Sequence, residues 1–167
     1  NIENLQSASI SMPANQYVLD HMGGDWGHEF QLQQTELTAG VKTLQAKDFK
    51  SLNNPNWFMV RQKSEQEDTT GGAWFGTLQY SGNWRIDFDM VFNSRLQVTG
   101  GINFWDTKWS LKPATTLTTP KFILGYTNSG SEGASRNLRD YIRQTVLPKQ
   151  WKKKPLQKKY KNWQTNT

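Results

Sequence analysis

The clearest pattern of hydrophobic and polar positions lies in residues 84–92, where apolar and polar side chains alternate. The apolar positions are Trp84, Ile86, Phe88, Met90 and Phe92. A period of two places each set on its own side of an extended chain, so we predict a strand with one buried face. Trp84 is therefore expected in the core.

The segments on either side of this strand are expected to pair with it. Residues 73–80 end at the glycine-containing loop 81–83, and the turn 93–94 leads into a further apolar run over residues 96–104. Short loops of this composition join antiparallel neighbours. The pattern therefore predicts an antiparallel meander near residues 73–111.

A short N-terminal helix is predicted over residues 11–24. Ser11 can cap it, Pro13 falls in its first turn and Gly23-Gly24 can end it. Its buried stripe would consist of Tyr17, Val18 and Met22. The next segment, residues 26–52, has short alternating runs and does not decide between helix and strand.

The remainder of the chain predicts two strands and a second helix. Residues 57–61 and 121–127 have the composition of strands. The helix is expected over residues 135–147, with Ser135 as its cap and Pro148 after its end. Its apolar residues at helical spacing are Leu138, Tyr141, Ile142 and Val146.

Together these elements predict an α+β fold, an antiparallel sheet with a short N-terminal helix and a C-terminal helix. We expect one globular domain over residues 1–148. Residues 149–167 are expected to form a basic, aromatic-containing extension packed on that domain.

The composition is that of a folded chain of 167 residues, with 35% apolar and 13% aromatic side chains. Cysteine is absent, which excludes disulfides, thiolate nucleophiles and cysteine zinc sites. No apolar run is long enough to span a membrane. The first residue is Asn, so we expect either a removed leader or a domain cut from a longer chain, and favour the second. A secreted or exported location is favoured over a cytoplasmic one.

The charge is concentrated at the C-terminal end. Residues 136–167 contain ten Lys or Arg and one acid, for a net charge of +9, whereas the whole chain is +6. The candidate anion-binding residues are Arg136, Arg139, Arg143, Lys149, Lys152, Lys153, Lys154, Lys158, Lys159 and Lys161, with Trp151 and Trp163 among them. Basic side chains interspersed with aromatic rings suit a nucleic acid first and an anionic membrane or envelope surface second.

Two other interpretations of this end stay open. A lysine-rich terminus is often a solvated tail, and it can equally dock on an acidic protein partner. If Trp151 and Trp163 pack inward, the charge still faces solvent but the rings cannot stack on bases.

A polar cluster in LDHMGGDWGHE is the best catalytic candidate. Its members are His21, Asp25, His28 and Glu29. Two imidazoles near carboxylates can share general acid and base work, as in a nuclease or another hydrolase. The spacing matches no metal motif, so no metal is predicted, and no cofactor follows from the sequence. The alternative is a set of polar residues around a helix end.

Two further segments are weaker candidates. Asp87 and Asp89 lie on one face of the predicted strand, where paired carboxylates can hold a cation or simply form a solvated face. The loop 130–135 precedes a helix N-terminus, which favours anions, but it lacks the P-loop lysine.

The function predicted first is a small basic domain that binds an anionic partner, as an effector or toxin-like domain of a larger bacterial or phage protein. Whether it is an enzyme stays undecided. The alternative is a non-catalytic β-rich recognition module for carbohydrate or protein, in which Trp105 or Trp109 forms the contact.

Overall fold

Two antiparallel sheets stacked on each other make up most of the described part of the chain. The computed structural model describes residues 2–13, 15–47, 55–63, 71–91, 95–105 and 108–148. Its strands are β1 (Leu5–Pro13), β2 (Tyr17–Asp25), β3 (His28–Leu37), β4 (Gly40–Gln45), β5 (Trp57–Gln62), β6 (Ala73–Gln79), β7 (Trp84–Val91), β8 (Arg95–Ile102) and β9 (Lys121–Thr127). A helix, α1 (Gly130–Tyr141), and a π-helical turn (Ile142–Val146) follow. The sheet orders are β1-β8-β7-β4 and β3-β2-β5-β6-β9.

The alternating segment is the strand β7 of the four-stranded sheet, as predicted. It pairs with β8 from Trp84↔Ile102 to Val91↔Arg95. Trp84, Ile86 and Phe88 are fully buried, whereas the residues between them are only partly covered. The alternation therefore separates a core face from a solvent face, and the prediction that Trp84 lies in the core is confirmed.

The predicted N-terminal helix is wrong, because residues 17–25 form β2. Tyr17, Leu19 and His21 are buried at every second position, facing the core. Asp20 is also buried, on the opposite face of the strand. Two buried polar residues thus interrupt the apolar alternation, which is why the segment resembled a helix in sequence.

The predicted meander is also wrong in one respect. The strands β7 and β8 pair as expected, but β6 lies in the other sheet, between β5 and β9. Residues 80–83 therefore carry the chain from one sheet to the other. A short loop with glycine can form a hairpin or cross between sheets, and only packing decides which.

The core lies between the two sheets and is rich in aromatic rings. Phe58 of the five-stranded sheet meets Phe88 of the four-stranded sheet edge to face, with ring centroids 5.1 Å apart. Phe58 also stacks on Phe122 at 6.0 Å. Both Phe58 and Phe88 are fully buried. Large rings bury much apolar area per residue, which explains how a chain with few aliphatic residues forms a core.

The helix α1 packs on the outer face of the five-stranded sheet. Ala134 is buried against Met59, Ala73 and Phe75, and Leu138 packs beside them. The helix begins at Gly130, earlier than predicted, so residues 130–135 form its first turns and not a loop. Of the expected stripe, Ile142 and Val146 are exposed.

Over the described residues the fold is therefore a β-sandwich with one α-helix on it, and the predicted α+β class with an N-terminal helix is wrong. The strands predicted over residues 57–61 and 121–127 are confirmed as β5 and β9. Residues 149–167, the predicted C-terminal extension, lie outside the described residues, and the division at residue 148 stays a prediction. Over the described residues, no helix is long and apolar enough to cross a membrane.

Candidate functional site

The hairpin of β2 and β3 ends in a two-residue turn formed by Trp26 and Gly27. Asp25 pairs with His28 across this turn. Gly27 has φ of 85°, a backbone conformation that glycine adopts without steric cost. Its N–H donates to the Glu29 Oε1 at 3.0 Å. The positive φ of Gly27 and this hydrogen bond therefore stabilise the turn, and Trp26 lies at its end.

A bulge in β3 lies next to this turn. Gly23 pairs with Gln31 and Asp25 with His28, so Gly24 faces two residues, Glu29 and Phe30. Phe30 takes the left-handed conformation, with φ of 58°. A Cβ on Gly24 would lie 2.0 Å from the His28 carbonyl oxygen, which requires glycine there. The bulge redirects the side chains of β3 just beyond the turn.

The hairpin tip, residues 24–32, presents large apolar side chains to solvent. Trp26 is 92% exposed, Phe30 60% and Leu32 57%. The pairing of β2 with β5 ends at His21↔Phe58, so the tip extends past the last strand pair on that side. Exposed apolar residues that cluster on one element mark contact surfaces. The hairpin tip is the first candidate functional surface.

His21 lies at the base of this hairpin, buried on the core side of β2. Its Nδ1 is 3.4 Å from the Met22 carbonyl oxygen, and its Nε2 is buried without a hydrogen-bond partner among the described residues. Burial lowers the pKa of His21; the Met22 carbonyl opposes this, and the charge of Lys42 adds to it. The imidazole is therefore neutral at pH 7.

Acidification is expected to destabilise the fold through His21. In the unfolded chain this imidazole takes up a proton near its ordinary pKa of 6.5, whereas the folded chain does so only at lower pH. Above pH 6.5, where the imidazole is neutral in both states, His21 therefore makes its full contribution to the free energy of unfolding. It decreases as the pH falls toward the lowered folded pKa, by at most about 1.4 kcal/mol per pH unit.

Urea unfolding at a series of pH values between about 7.5 and 5 measures this dependence. The His21→Leu variant should show a weaker decrease of stability with acidification. His28→Gln, at the exposed turn, is the matched control and should retain the wild-type dependence. Equal pH dependence in wild type and His21→Leu would contradict the assignment.

The predicted catalytic residues do not form one cluster. Asp25 and His28 are exposed at the turn, while His21 is buried at the base of the hairpin. The pKa of Glu29 is lowered because the backbone N–H of Gly27 and its own N–H donate to its carboxylate. No group of three or more His, Asp or Glu side chains is placed to hold a metal ion within the described residues. The catalytic role of these four residues stays a prediction.

The predicted anion-binding residues are described only in part. Arg136, Arg139 and Arg143 are exposed on α1 and the π-helical turn. Arg136 lies 3.6 Å from Glu132, so its charge is partly offset. The remaining predicted residues lie outside the described part of the chain; they are Lys149, Lys152, Lys153, Lys154, Lys158, Lys159, Lys161, Trp151 and Trp163.

The outer face of the four-stranded sheet is the second candidate surface, and it is polar. Arg85 donates from Nε to both carboxylate oxygens of Asp87, at 2.9 and 2.8 Å. Thr43 donates to Asp87 Oδ1 at 2.6 Å. Asp89 lies on the same face, two residues further along β7. Because Asp87 is already paired with Arg85, the pattern is that of a structured polar face.

Aromatic rings lie at one end of this face. The Arg85 guanidinium lies 4.9 Å from the centroid of the Phe104 ring, and Lys47 Nζ lies 4.5 Å from that of Trp105. Phe104 and Trp105 are about half exposed. Trp109 is not an exposed platform, because it is partly buried and pairs with Ile2 through the backbone. Of the two tryptophans predicted for sugar contact, only Trp105 is available.

The carboxylates of Asp20 and Asp87 are both engaged in ion pairs. Asp20 is bound to Arg61 and Asp87 to Arg85. Hydrolysis of a glycoside generally uses two carboxyl groups on opposite sides of the bond, about 5 to 9.5 Å apart. Each of these two carboxylates instead has an arginine as its partner in the sheet.

The sequence did not identify the hairpin tip. Gly23-Gly24 was interpreted as a helix stop, and residues 26–52, which include Trp26 and Phe30, were left undecided between helix and strand. The signal that identifies the hairpin is Trp26-Gly27 between two runs of strand-forming residues, with glycine at the turn position that requires positive φ.

Comparison with known proteins relates this sandwich to one group of enzymes. The family model described as the glycosyl hydrolase family 36 N-terminal domain matches residues 1–112. The alpha-galactosidase AgaA of Geobacillus stearothermophilus is 26% identical over 137 residues, 82% of this chain and 19% of that protein. Its crystal structure matches with a TM-score of 0.82 at 23% identity, over 87% of this chain and 20% of that one. The alpha-galactosidase from Lactobacillus brevis matches with a TM-score of 0.78 at 26% identity, over 85% and 19%.

These similarities overturn the function predicted first. Nothing in them indicates a nucleic-acid partner or an effector or toxin-like domain, and the predictions of both are wrong. The alternative, a β-rich module related to carbohydrate, agrees better with them. The chain spans about a fifth of the length of the relatives it matches. Since the family model covers residues 1–112 of the 167, the chain belongs to the glycosyl hydrolase family 36 N-terminal domain family.

Proposed function

We propose that this chain is a non-catalytic module of a glycoside hydrolase that acts on α-galactosides, and that its hairpin tip contacts the catalytic part. The observation that carries the proposal is the match of nearly the whole sandwich to about a fifth of each alpha-galactosidase. A segment of that size accounts for one domain of such an enzyme. Cleavage then belongs to the other domains.

The chemistry of the described residues supports a non-catalytic role. The buried carboxylate of Asp20 is held by Arg61 Nε at 2.6 Å and Nη2 at 3.3 Å, deep in the sheet. Asp87 is held by Arg85 and Thr43 on an open face. A general acid and a nucleophile need a substrate between them, whereas each of these carboxylates is already paired with an arginine.

The hairpin tip has the properties of a contact element. Its exposed indole can bury a large apolar area when a partner covers it, and Trp is enriched among residues that dominate interfaces. Phe30 is held in a left-handed conformation, which costs a non-glycine residue about 1 to 2 kcal/mol. Strain of this kind is found mostly where function requires a fixed geometry.

The non-catalytic role is tested by incubating the purified chain with raffinose and with a chromogenic α-galactoside. We expect no release of galactose above that in buffer. Turnover that Asp87→Asn or Asp20→Asn abolishes would contradict the proposal, since those carboxylates would then be catalytic.

The contact role is tested with an AgaA variant that lacks the portion matched by this chain. The chain is expected to bind the truncated enzyme and raise its kcat/KM for raffinose. Trp26→Ala should weaken the complex by at least about tenfold, because it removes the most exposed ring of the tip. Trp105→Ala, which removes an exposed indole from the other sheet, is the matched control. Equal effects of the two variants, or no complex at all, would contradict a contact through the tip.

A further inference from the structure

The hairpin of β2 and β3 changes from three-stranded to two-stranded pairing at His21. Residues 17–21 pair with β3 on one side and with β5 on the other, and the last pair with β5 is His21↔Phe58. Within the described residues, the part of β2 beyond His21 pairs with β3 only. A two-stranded hairpin by itself is marginally stable in water. The position of the hairpin tip therefore depends on how firmly His21 is held in the sheet.

Two glycines and a bulge follow His21 and make the base of the hairpin flexible. Gly23 and Gly24 come directly after Met22, and the pairing with β3 shifts between Gly23 and Asp25. Glycine gives the backbone more conformational freedom than any other residue. The hairpin can therefore open at its base while the strands further inside the sheet stay paired.

The environment of the His21 side chain suits a neutral ring. The residue is 5% exposed, and its partners in the sheet, Gln33 of β3 and Phe58 of β5, carry no charge. Its Nδ1 lies 3.4 Å from the Met22 carbonyl oxygen, and its Nε2 has no hydrogen-bond partner among the described residues. An imidazolium donates from both nitrogens, so its second N–H would be buried without an acceptor. Such a group costs the closed hairpin its full desolvation free energy.

The charged groups near His21 do not compensate for this cost. Burial lowers the pKa of the imidazole most; the Met22 carbonyl opposes this, Lys42 of β4 lowers the pKa further and Asp20 raises it. Asp20 lies on the opposite face of β2, where Arg61 Nε donates to it at 2.6 Å. The ring therefore takes up a proton more readily once it has left the core.

We propose that protonation of His21 releases the hairpin tip from its fixed position, so that acidification weakens the contact of the tip with the catalytic part. In the released state the His21↔Phe58 pair is broken and the ring is solvated, while the rest of the sandwich stays folded. This regulation rests on the proposed function for its partner. The release itself is a property of this chain and differs from the loss of global stability, because it is confined to the hairpin.

Proton linkage gives the direction and the size of the effect. In the released state the imidazole protonates near its ordinary pKa of 6.5, whereas burial lowers its pKa in the closed state. Well above pH 6.5 neither state holds the proton, and the closed hairpin is favoured. Below pH 6.5 the ratio of released to closed hairpin rises by at most about tenfold per pH unit, until the pH reaches the lowered pKa of the closed state.

Amide hydrogen exchange of the purified chain tests the release. Rates are measured residue by residue between about pH 7.5 and 5.5 and are divided by the intrinsic exchange rate at each pH. The protection of amides in residues 22–32 should fall by about threefold or more between pH 6.5 and 5.5. Protection of these amides that does not change with pH overturns the proposal.

Low concentrations of urea separate this local opening from global unfolding, which exposes His21 as well. Opening of the hairpin exposes little surface, so exchange in residues 22–32 should depend on urea much less than exchange in β7 does. Equal urea dependence in the two segments would show that the tip opens only when the whole sandwich unfolds. That result also overturns the proposal.

His21→Leu and His28→Gln form the matched pair of variants. His21→Leu removes the titrating ring from the base of the hairpin, so the protection of the tip should no longer depend on pH. His28→Gln, at the exposed turn, should keep the wild-type decrease. His21→Gln provides the same test with a neutral polar side chain if leucine perturbs the sheet. A wild-type decrease in both His21 variants overturns the role of this residue.

Binding to the AgaA variant that lacks the matched portion distinguishes this proposal from the proposed function. Relative to His21→Leu, the wild-type chain should lose affinity by about threefold or more between pH 7 and 5.5. The same pH dependence in both chains overturns the regulation and leaves the contact role intact. Absence of a complex overturns the contact role and the regulation of that contact, whereas the exchange experiment still decides whether the tip is released.

Discussion

Replacing Phe58 with alanine should lower the free energy of unfolding by about 3 to 5 kcal/mol. Phe58 is fully buried and joins the two sheets, since it contacts Phe88 across the sandwich and Phe122 within its own sheet. Truncation removes the transfer free energy of the ring and leaves a cavity that two stiff sheets cannot close. Loss of the aromatic pairs adds to this cost.

The matched control for this prediction is Phe30→Ala. The same atoms are removed from a side chain that is largely exposed, so the expected change is within about 0.5 kcal/mol. Urea unfolding monitored by tryptophan fluorescence measures both variants. A loss below about 1 kcal/mol for Phe58→Ala would show that the sheets repack around the gap.

Replacing Arg61 with methionine is the second large effect, at about 3 to 5 kcal/mol of destabilisation. Arg61 donates to both oxygens of Asp20, whose side chain is almost completely buried. Methionine keeps an apolar stem but leaves the carboxylate without its counter-ion in a poorly hydrated place. The cost arises mainly from that isolated charge and less from the lost ion pair itself.

Lys63→Met is the control for charge removal at a surface pair. Lys63 lies 2.7 Å from Glu36, and both side chains are well exposed. Exposed pairs of this kind contribute about 0 to 1 kcal/mol, so this variant should remain close to wild type. Urea unfolding applies here too, and equal losses in the two variants would show that Asp20 is hydrated in the folded protein.

The residues expected to stabilise the fold, Phe58 and Arg61, lie apart from the residues proposed to make contacts. Phe58 lies between the two sheets and the Asp20 carboxylate is buried on the other face of β2, whereas the hairpin tip and Phe104 are exposed to solvent. Substitutions at Trp26 or Phe104 are therefore expected to change contacts without unfolding the chain. This separation allows the binding experiments to be interpreted without a correction for lost fold.

The basic C-terminal end misdirected the functional prediction for a physical reason. Net charge reports on how a protein associates with charged partners in general, but it does not identify a site or a family. Arg136 of α1 lies beside Glu132, and the lysine-rich segment lies outside the described residues. The hairpin tip, in contrast, presents large apolar side chains to solvent.

The sequence by itself determined the strands that have a simple alternation. Residues 84–91 were identified because Trp84, Ile86 and Phe88 are all apolar and all inward. The strands β5 and β9 were identified instead from their strand-forming composition. Local patterns suffice where the inward positions are apolar and the outward positions polar, since the order of residues then shows the period of a strand directly.

Only the tertiary structure decided the remaining features. The strand β2 was missed because His21 occupies an inward position and Asp20 a buried outward one, where Arg61 holds its carboxylate. The sheet to which β6 belongs depends on its pairing with β5 and with β9, the last strand in the sequence. The hairpin tip arises from where the pairing of β2 with β5 ends. Long-range packing sets these properties, and no local window of residues contains them.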